Sequence, residues 1–265
     1  MGDGTAGRVS PTLTMGLKLI RAELHVHTVL SPCAEIEMLP PLIVQEAVDR
    51  EIQLIAITDH NATGNIAAVQ KAAEGLPLTV LPGMELQTRE EVHNLCLFET
   101  LEETAVFQEW VNKHLPDLLN RPDYFGEQLL VDENGDFVEK EPRLLLTSAD
   151  VSIDEACAKV HEIGGIFIPA HVNRTANGLL PTLGFVPERI CLEALEISKH
   201  LKPDEARRKF PQIAGYPLIQ SGDVHRLDDF IGVNQFEIEL PTLAEIKLAL
   251  RGQEGRQYRI LSRTI

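Results

Sequence analysis

No stretch of this 265-residue sequence is long and apolar enough to span a membrane, which takes about 20 residues. The opening "MGDGTAGRVSPTLTM" also lacks the apolar core of a secretory signal. Residues 1–17 therefore read as a disordered leader, or as what precedes a later start at Met15. The four cysteines, Cys33, Cys96, Cys157 and Cys191, never stand at C-x-x-C spacing. That argues against a disulfide framework or a structural zinc knuckle, and for reduced thiols in a cytoplasmic compartment. Cations are scarce too: 24 Lys and Arg face 40 Asp and Glu, so stable binding of duplex nucleic acid over a broad surface is not expected. A short phosphorylated substrate needs only a local positive site, and bound divalent cations would offset part of the excess.

What the sequence does contain is alternation. "KLIRAELHVHT" (18–28) predicts a strand, "PPLIVQEAVDRE" (40–51) a helix opened by proline, and "QLIAITDH" (53–60) a strand. "NIAAVQKAAEG" (65–75) follows as a helix stopped at Gly75, then "LTVLPGMEL" (78–86) as a strand. The pattern resumes with a helix in "SIDEACAKVHEIGG" (152–165), where Asp154 lies near the start. Strands follow in "IFIPAH" (166–171), "LEALEIS" (192–198), "PLIQSGDVH" (217–225) and "QFEIEL" (235–240), then a helix in "TLAEIKLALRG" (242–252). Repeated β-α units with near-continuous apolar strands predict an α/β fold, a parallel sheet covered by helices. No G-x-G-x-x-G or G-x-x-x-x-G-K-[ST] follows the first strand, so a closed barrel over residues 18–265 is favoured over an open nucleotide-binding sheet. Residues 101–150 interrupt the alternation with a helical start and a hairpin around Asn134-Gly135. This excursion either covers one barrel end or is a plain surface insertion.

Residues of metal-ligand type gather at the predicted strand ends. His25 and His27 stand at i and i+2 of one strand, so they face the same side and can reach one ion. Asp59 and His60 end the second strand and Glu85 the third; His93 lies in the extended "VHNLCLF", His171 ends "IPAH", and Asp223 and His225 end "SGDVH". In a parallel barrel these ends meet on the face where active sites sit. Any one histidine is more simply a hydrogen-bonded structural residue, but six of the nine histidines fall at such points. Of the others, His161 reads as helix surface and His200, just past a strand end, as a substrate contact; His114 has no role. Imidazoles and carboxylates without a cysteine cluster suit zinc, manganese or iron. Too numerous for one tetrahedral ion, they would serve two or three, with Glu85 able to bridge adjacent metals.

The succession H-x-H-T, "AITDHN", "GMEL", "HNLCLF", "IPAH" and "SGDVH" closely resembles the PHP (polymerase and histidinol phosphatase) superfamily, from about residue 20 to 240. The resemblance implies a distorted seven-stranded β/α (TIM-like) barrel with two or three divalent metals that hydrolyses phosphoesters. It puts His25, His27, Glu85 and Asp223 on one metal, Glu85, His93 and His171 on a second, and His60 and His225 on a third. Trinuclear members draw one more ligand from the loop after H-x-H. In "TVLSPCAE" the acid or histidine common there is absent, which leaves Cys33 as either a thiolate ligand or a buried thiol.

Asp59 faces away from His60 on an ideal strand and is expected to orient a ligand histidine. Arg174 is the candidate phosphate clamp, against the plainer reading of a rim arginine paired with an acid. Ser198, Lys199 and His200 are placed as substrate contacts by position alone. The expected activity is that of a metal-dependent phosphoesterase acting on a small phosphorylated substrate, a phosphomonoester or nucleotide. A hydroxide bridging the metals would attack phosphorus, and His60, His225 or a metal-held water would protonate the leaving oxygen. Three alternatives stand beside it: a phosphodiesterase or exonuclease on short oligonucleotides, an amidohydrolase, which also opens with H-x-H, and a non-catalytic metal-stabilised module.

Overall fold

Two β-α units and a third strand open the chain. In the computed structural model, which describes residues 16–262, β1 (Lys18–Val26), α1 (Pro40–Asp49), β2 (Leu54–Ile57), α2 (Ile66–Ala72) and β3 (Thr79–Gln87) lie within a few residues of the predicted bounds. The predicted leader falls almost wholly outside the described residues. Pro40 occupies the first position of α1, where its missing N–H costs nothing. β2 is buried throughout, as a wholly apolar run in a covered parallel sheet must be.

The all-parallel expectation fails at β4 (His93–Leu97), which runs antiparallel to β3 and pairs Glu85 with Leu95 and Gln87 with His93. Only five residues separate Gln87 from His93. A parallel return needs a crossover of a dozen or more, so the chain can only turn back as a hairpin.

The excursion begins with α3 (Leu101–Asn112), whose first turn is closed by a Thr100–Glu103 capping box. It continues through α4 (Pro122–Phe125) to the hairpin of β5 (Leu129–Val131) and β6 (Phe137–Lys140). Its turn lies where Asn134-Gly135 predicts it: the Asp132 carboxylate accepts from the N–H groups of Asn134 and Asp136, and Gly135 takes a φ of +84°. The excursion packs on the loops that follow β1 and β2. The buried Asn65 side chain donates to the Leu129 carbonyl and the Thr28 hydroxyl and accepts from the Val131 N–H. Asn61 donates to the carbonyls of Leu145 and Thr147.

After it come α5 (Ile153–Ile163), capped by Ser152 rather than Asp154, and β7 (Ile166–Pro169). The rest comprises α6 (Leu179–Leu183), β8 (Leu195–Ile197), α7 (Pro203–Lys209), β9 (Leu218–Gln220), β10 (Asn234–Ile238), α8 (Leu243–Arg251) and β11 (Gln257–Ile260). Seven strands form one curled sheet in the order β11-β10-β1-β2-β3-β4-β7, and β8 and β9 form a separate parallel pair. That pair closes the curl at the end where the strands finish. The Val172 N–H donates to the Glu196 carbonyl, and Val224 exchanges backbone bonds with His25 and His27. β1 is thereby shared, pairing antiparallel with β10 along Lys18–Ala22 and meeting Val224 beyond it. The result is a mixed α/β fold of the expected TIM-like kind, in which β4 and β10 run against the other strands of the seven-stranded sheet. Below the strand ends, Leu24, Ala56, Leu81, Leu95, Ile168 and Ile219 belong to one buried apolar cluster.

Because one buried amide joins Leu129 and Val131 of the excursion to Thr28, Asn65→Ala should strip partners from all three at once. Urea denaturation is expected to show a loss of about 1–3 kcal/mol.

Candidate metal centre

The strand ends bring eight of the predicted residues together: His25, His27, His60, Glu85, His93, His171, Asp223 and His225. Glu85, fully buried on β3, is the hub. Its Oε1 lies 2.9 Å from His93 Nδ1, 3.1 Å from His171 Nε2 and 3.3 Å from His25 Nε2. Its Oε2 lies 2.9 Å from His60 Nδ1 and 3.4 Å from His27 Nε2. Asp223 Oδ1 lies 3.4 Å from His25 Nε2 and 3.5 Å from His27 Nε2. His171 and Asp223 both have positive φ, 29° and 51°, a conformation that side chains other than glycine seldom adopt and that tends to be held at functional positions.

His93 Nδ1 and His171 Nε2 hydrogen-bond Glu85 Oε1, at 2.9 and 3.1 Å. His25 Nε2, His27 Nε2 and His60 Nδ1 approach the carboxylates without hydrogen-bonding them, and with Glu85 Oε2 and His171 Nδ1 they are buried and have no hydrogen-bond partner. Buried polar atoms left this way cost free energy unless something else satisfies them. Convergent nitrogen and oxygen lone pairs fit divalent cations. Three sets have ligand atoms within 4.8 Å of one another: His25, His27, Glu85 and Asp223; His60, Glu85 and His93; and His27, His60 and His225. The first matches the sequence expectation, whereas the second draws in His60 in place of His171.

Neighbouring residues fix which nitrogen faces inward. Glu196, buried on β8, accepts from His25 Nδ1 at 3.1 Å, so the lone pair of Nε2 points into the site. Glu196 also accepts from the His171 backbone N–H at 2.9 Å. The Ser31 hydroxyl donates to Asp59 Oδ1 at 2.7 Å and so can only accept from His27 Nδ1, 2.9 Å away, which again leaves Nε2 bare. Asp59 further accepts from the Thr28 N–H and hydroxyl. Fully buried, it lies behind Ser31 and away from the cluster around Glu85. His225 Nδ1 donates to the Asp223 carbonyl.

The electrostatics follow from one buried carboxylate among imidazoles. Burial works against its charge, yet the surrounding histidines, His93, His25 and His60 foremost, hold the Glu85 carboxyl well below the usual range. Asp223 is held low against the same opposition, chiefly by His25. Against burial, Glu85 raises His60 to about 10 and lifts His25. Burial wins at His93, which falls to about 4, and at His27. Cys33 opens to solvent at the rim with its sulfur 3.1 Å from His225 Nε2; desolvation notwithstanding, His60 and His225 bring its thiol down to about 6.

Other expected residues are placed differently. Arg174 is half exposed and donates to Asp223 Oδ2 at 2.7 Å, so it is at once paired with an acid and seated at the mouth. Ser198 is bonded through its N–H and hydroxyl to Asn173, Lys199 reaches Asp229, and His200 is exposed beyond the rim. His161, expected on the surface, is partly buried and bonded to Glu193 at 3.1 Å, because α5 turns that face toward the acid entering β8. Glu196, Ser31 and Glu23 were not singled out in the sequence. Glu23 accepts from the N–H groups of Gly222, Ile231 and Gly232 and so anchors the loop carrying Asp223; burial pushes its carboxyl up to about 7. An acid inside an apolar strand, as Glu196 in "LEALEIS" and Glu23 in "KLIRAELHVHT", is the signal that marks them.

Residues 23–179 match the family model of the PHP domain. The chain belongs to the PHP domain family. Over 274 aligned residues the PHP chain is 23% identical to the Bacillus subtilis protein YqxK, described only as uncharacterized, covering 91% of this chain and 64% of that one. A 75-residue stretch, 28% of this chain and 25% of the relative, is 35% identical to the 5'-3' exoribonuclease Rnm of Escherichia coli. In fold it is similar to the lesion-specific endonuclease EndoQ of Pyrococcus furiosus, with a TM-score of 0.69 at 17% identity over 91% of this chain and 58% of that one. The PHP chain thus spans less than two thirds of these relatives. Among the described residues no helix is long and apolar enough to cross a membrane.

If Glu196 sets the proton position of His25, Glu196→Gln should leave the fold intact but weaken metal binding about 10- to 100-fold, read by competition with a chelator.

Proposed function

We propose that this PHP protein is a metal-dependent phosphoesterase whose centre holds two ions on either side of Glu85. The observation that carries the reading is the set of buried, unpartnered nitrogens, His25 Nε2, His27 Nε2 and His60 Nδ1, that face that one carboxylate. His25, His27 and Asp223 with Glu85 would hold one ion; His60 and His93 with Glu85, and His171 against the same oxygen, would hold the other. His27, His60 and His225, with Cys33 beside them, offer a third position. When bound, such ions neutralise charge on a phosphoryl group and make water a better nucleophile at neutral pH.

The chain's own residues supply the rest. Glu196 and the Asp59–Ser31 pair keep Nε2 of His25 and His27 bare and aimed inward. Arg174, anchored through one nitrogen to Asp223, has its remaining N–H groups at the mouth to take phosphate oxygens. His225 is the rim imidazole, held as a donor through Nδ1; its Nε2, which lies 3.1 Å from the Cys33 sulfur, would give its proton to the leaving oxygen when the third position is empty. Support for a phosphoester comes from the relatives, one described as an exoribonuclease and one as a lesion-specific endonuclease.

Purified protein with manganese is expected to release p-nitrophenol from p-nitrophenyl phosphate or its bis ester and to stop on adding EDTA. Glu85→Gln should lower kcat at least about a hundredfold. No chelator-sensitive release from either ester would contradict the reading.

A further inference from the structure

Lys and Arg are outnumbered across the chain, and outside residues 199–209 many are neutralised locally: Arg50, Lys71, Arg89, Lys140 and Arg256 each pair with an acid. The stretch "KHLKPDEARRK" (199–209) reverses the balance, with five Lys and Arg against two acids. It forms the turn after β8 and then α7, whose last turn is Arg207, Arg208 and Lys209. Among the described residues Lys202, Arg208 and Lys209 are exposed and form no ion pair, while Arg207 donates to the carbonyls of Ile213 and Tyr216. Beside them is a cleft of about 730 Å³ lined by Lys199, His200, Lys202, Arg208, Gln220 and Leu261 among others.

The cleft begins at the rim of the metal centre. Lys199 Nζ lies 2.6 Å from Asp229 Oδ1, and the other oxygen of Asp229 faces the backbone N–H of His225 at 3.4 Å. Ser198, at the head of the segment, is bonded to Asn173, two residues past His171 and next to Arg174. From Lys202 to Lys209 the segment covers roughly 10 Å, about three phosphate charges at the axial spacing of one duplex strand and fewer along an extended single strand. A mononucleotide bound at the metals would leave these cations unused.

Resting on the phosphoesterase reading above, we infer that the substrate is a nucleic-acid strand whose phosphates beyond the reacting one lie along residues 199–209, held by Lys202, Arg208 and Lys209. Phosphate contacts of this kind carry no sequence preference and are sensitive to salt. This localises the polyanion contact on an otherwise acidic protein.

The test is fluorescence anisotropy of labelled 12-mers with a phosphorothioate backbone, single-stranded and duplex, across a salt series with manganese present. Lys202→Glu/Arg208→Glu is expected to weaken binding at least about tenfold, and Lys202→Ala/Arg208→Ala to reduce the slope of log affinity against log salt by about 1.4 on the single strand. Lys202→Arg/Arg208→Lys should bind as wild type does. The single-strand and duplex arms show which form is held. Unchanged affinity in the reversal variant, or equal competition by polyglutamate of matched charge, would overturn the proposal. Turnover of the bis(p-nitrophenyl) ester by wild type separates the two claims. Turnover with unchanged 12-mer affinity in the variant discards the strand surface alone, and lost affinity without turnover discards the phosphoesterase reading.

Discussion

Everything at the open end of this barrel is arranged around the burial of the Glu85 carboxylate. A bare carboxylate with no exposure would be strongly disfavoured. Here five imidazoles from β1, the loop after β2, β4 and the end of β7 approach its two oxygens, and several do so with nitrogens that make no hydrogen bond. The charge is met by hydrogen bonds from His93 and His171 at Oε1 and by the proximity of the other three rings. The site's convergent nitrogen and oxygen lone pairs suit divalent cations.

Holding so many lone pairs in register requires a rigid surround. The barrel closes where the site lies, through Val224 on β1 and Glu196 beside β7, so closure and ligand placement use the same residues or their neighbours. Glu196 is bonded through its backbone to Val172 and through its side chain to His25 and His171. Glu23 pins the loop that forces Asp223 into positive φ. The excursion, tied to Asn61 and Asn65, buttresses the loops that carry His60 and Ser31.

Much of this was legible in the sequence, for identifiable reasons. The β-α alternation located β1 to β3, β7 and β9 because strands buried on both faces leave continuous apolar runs. The ligands were legible because strand ends converge in a barrel, whatever the details of its closure. Strand direction at β4 was readable from the five-residue gap before His93, but the alternation rule obscured it. The partition of ligands depended on ring orientation: His60 joins Glu85 and His93 as closely as it joins His225, and no spacing encodes that. Glu196 and Glu23 escaped because an acid in an apolar strand signals burial without naming its partner. The run 199–209 drew attention only at Lys199 and His200, since its neighbourhood to Asp229 arises from folding.

The central claim is that Glu85 lies between two ions. Anomalous X-ray diffraction from crystals of the manganese-reconstituted protein tests it directly. The account predicts at least two anomalous peaks per chain, one among His25, His27 and Asp223 and one beside His60 and His93. A single peak away from Glu85, or none, would contradict it.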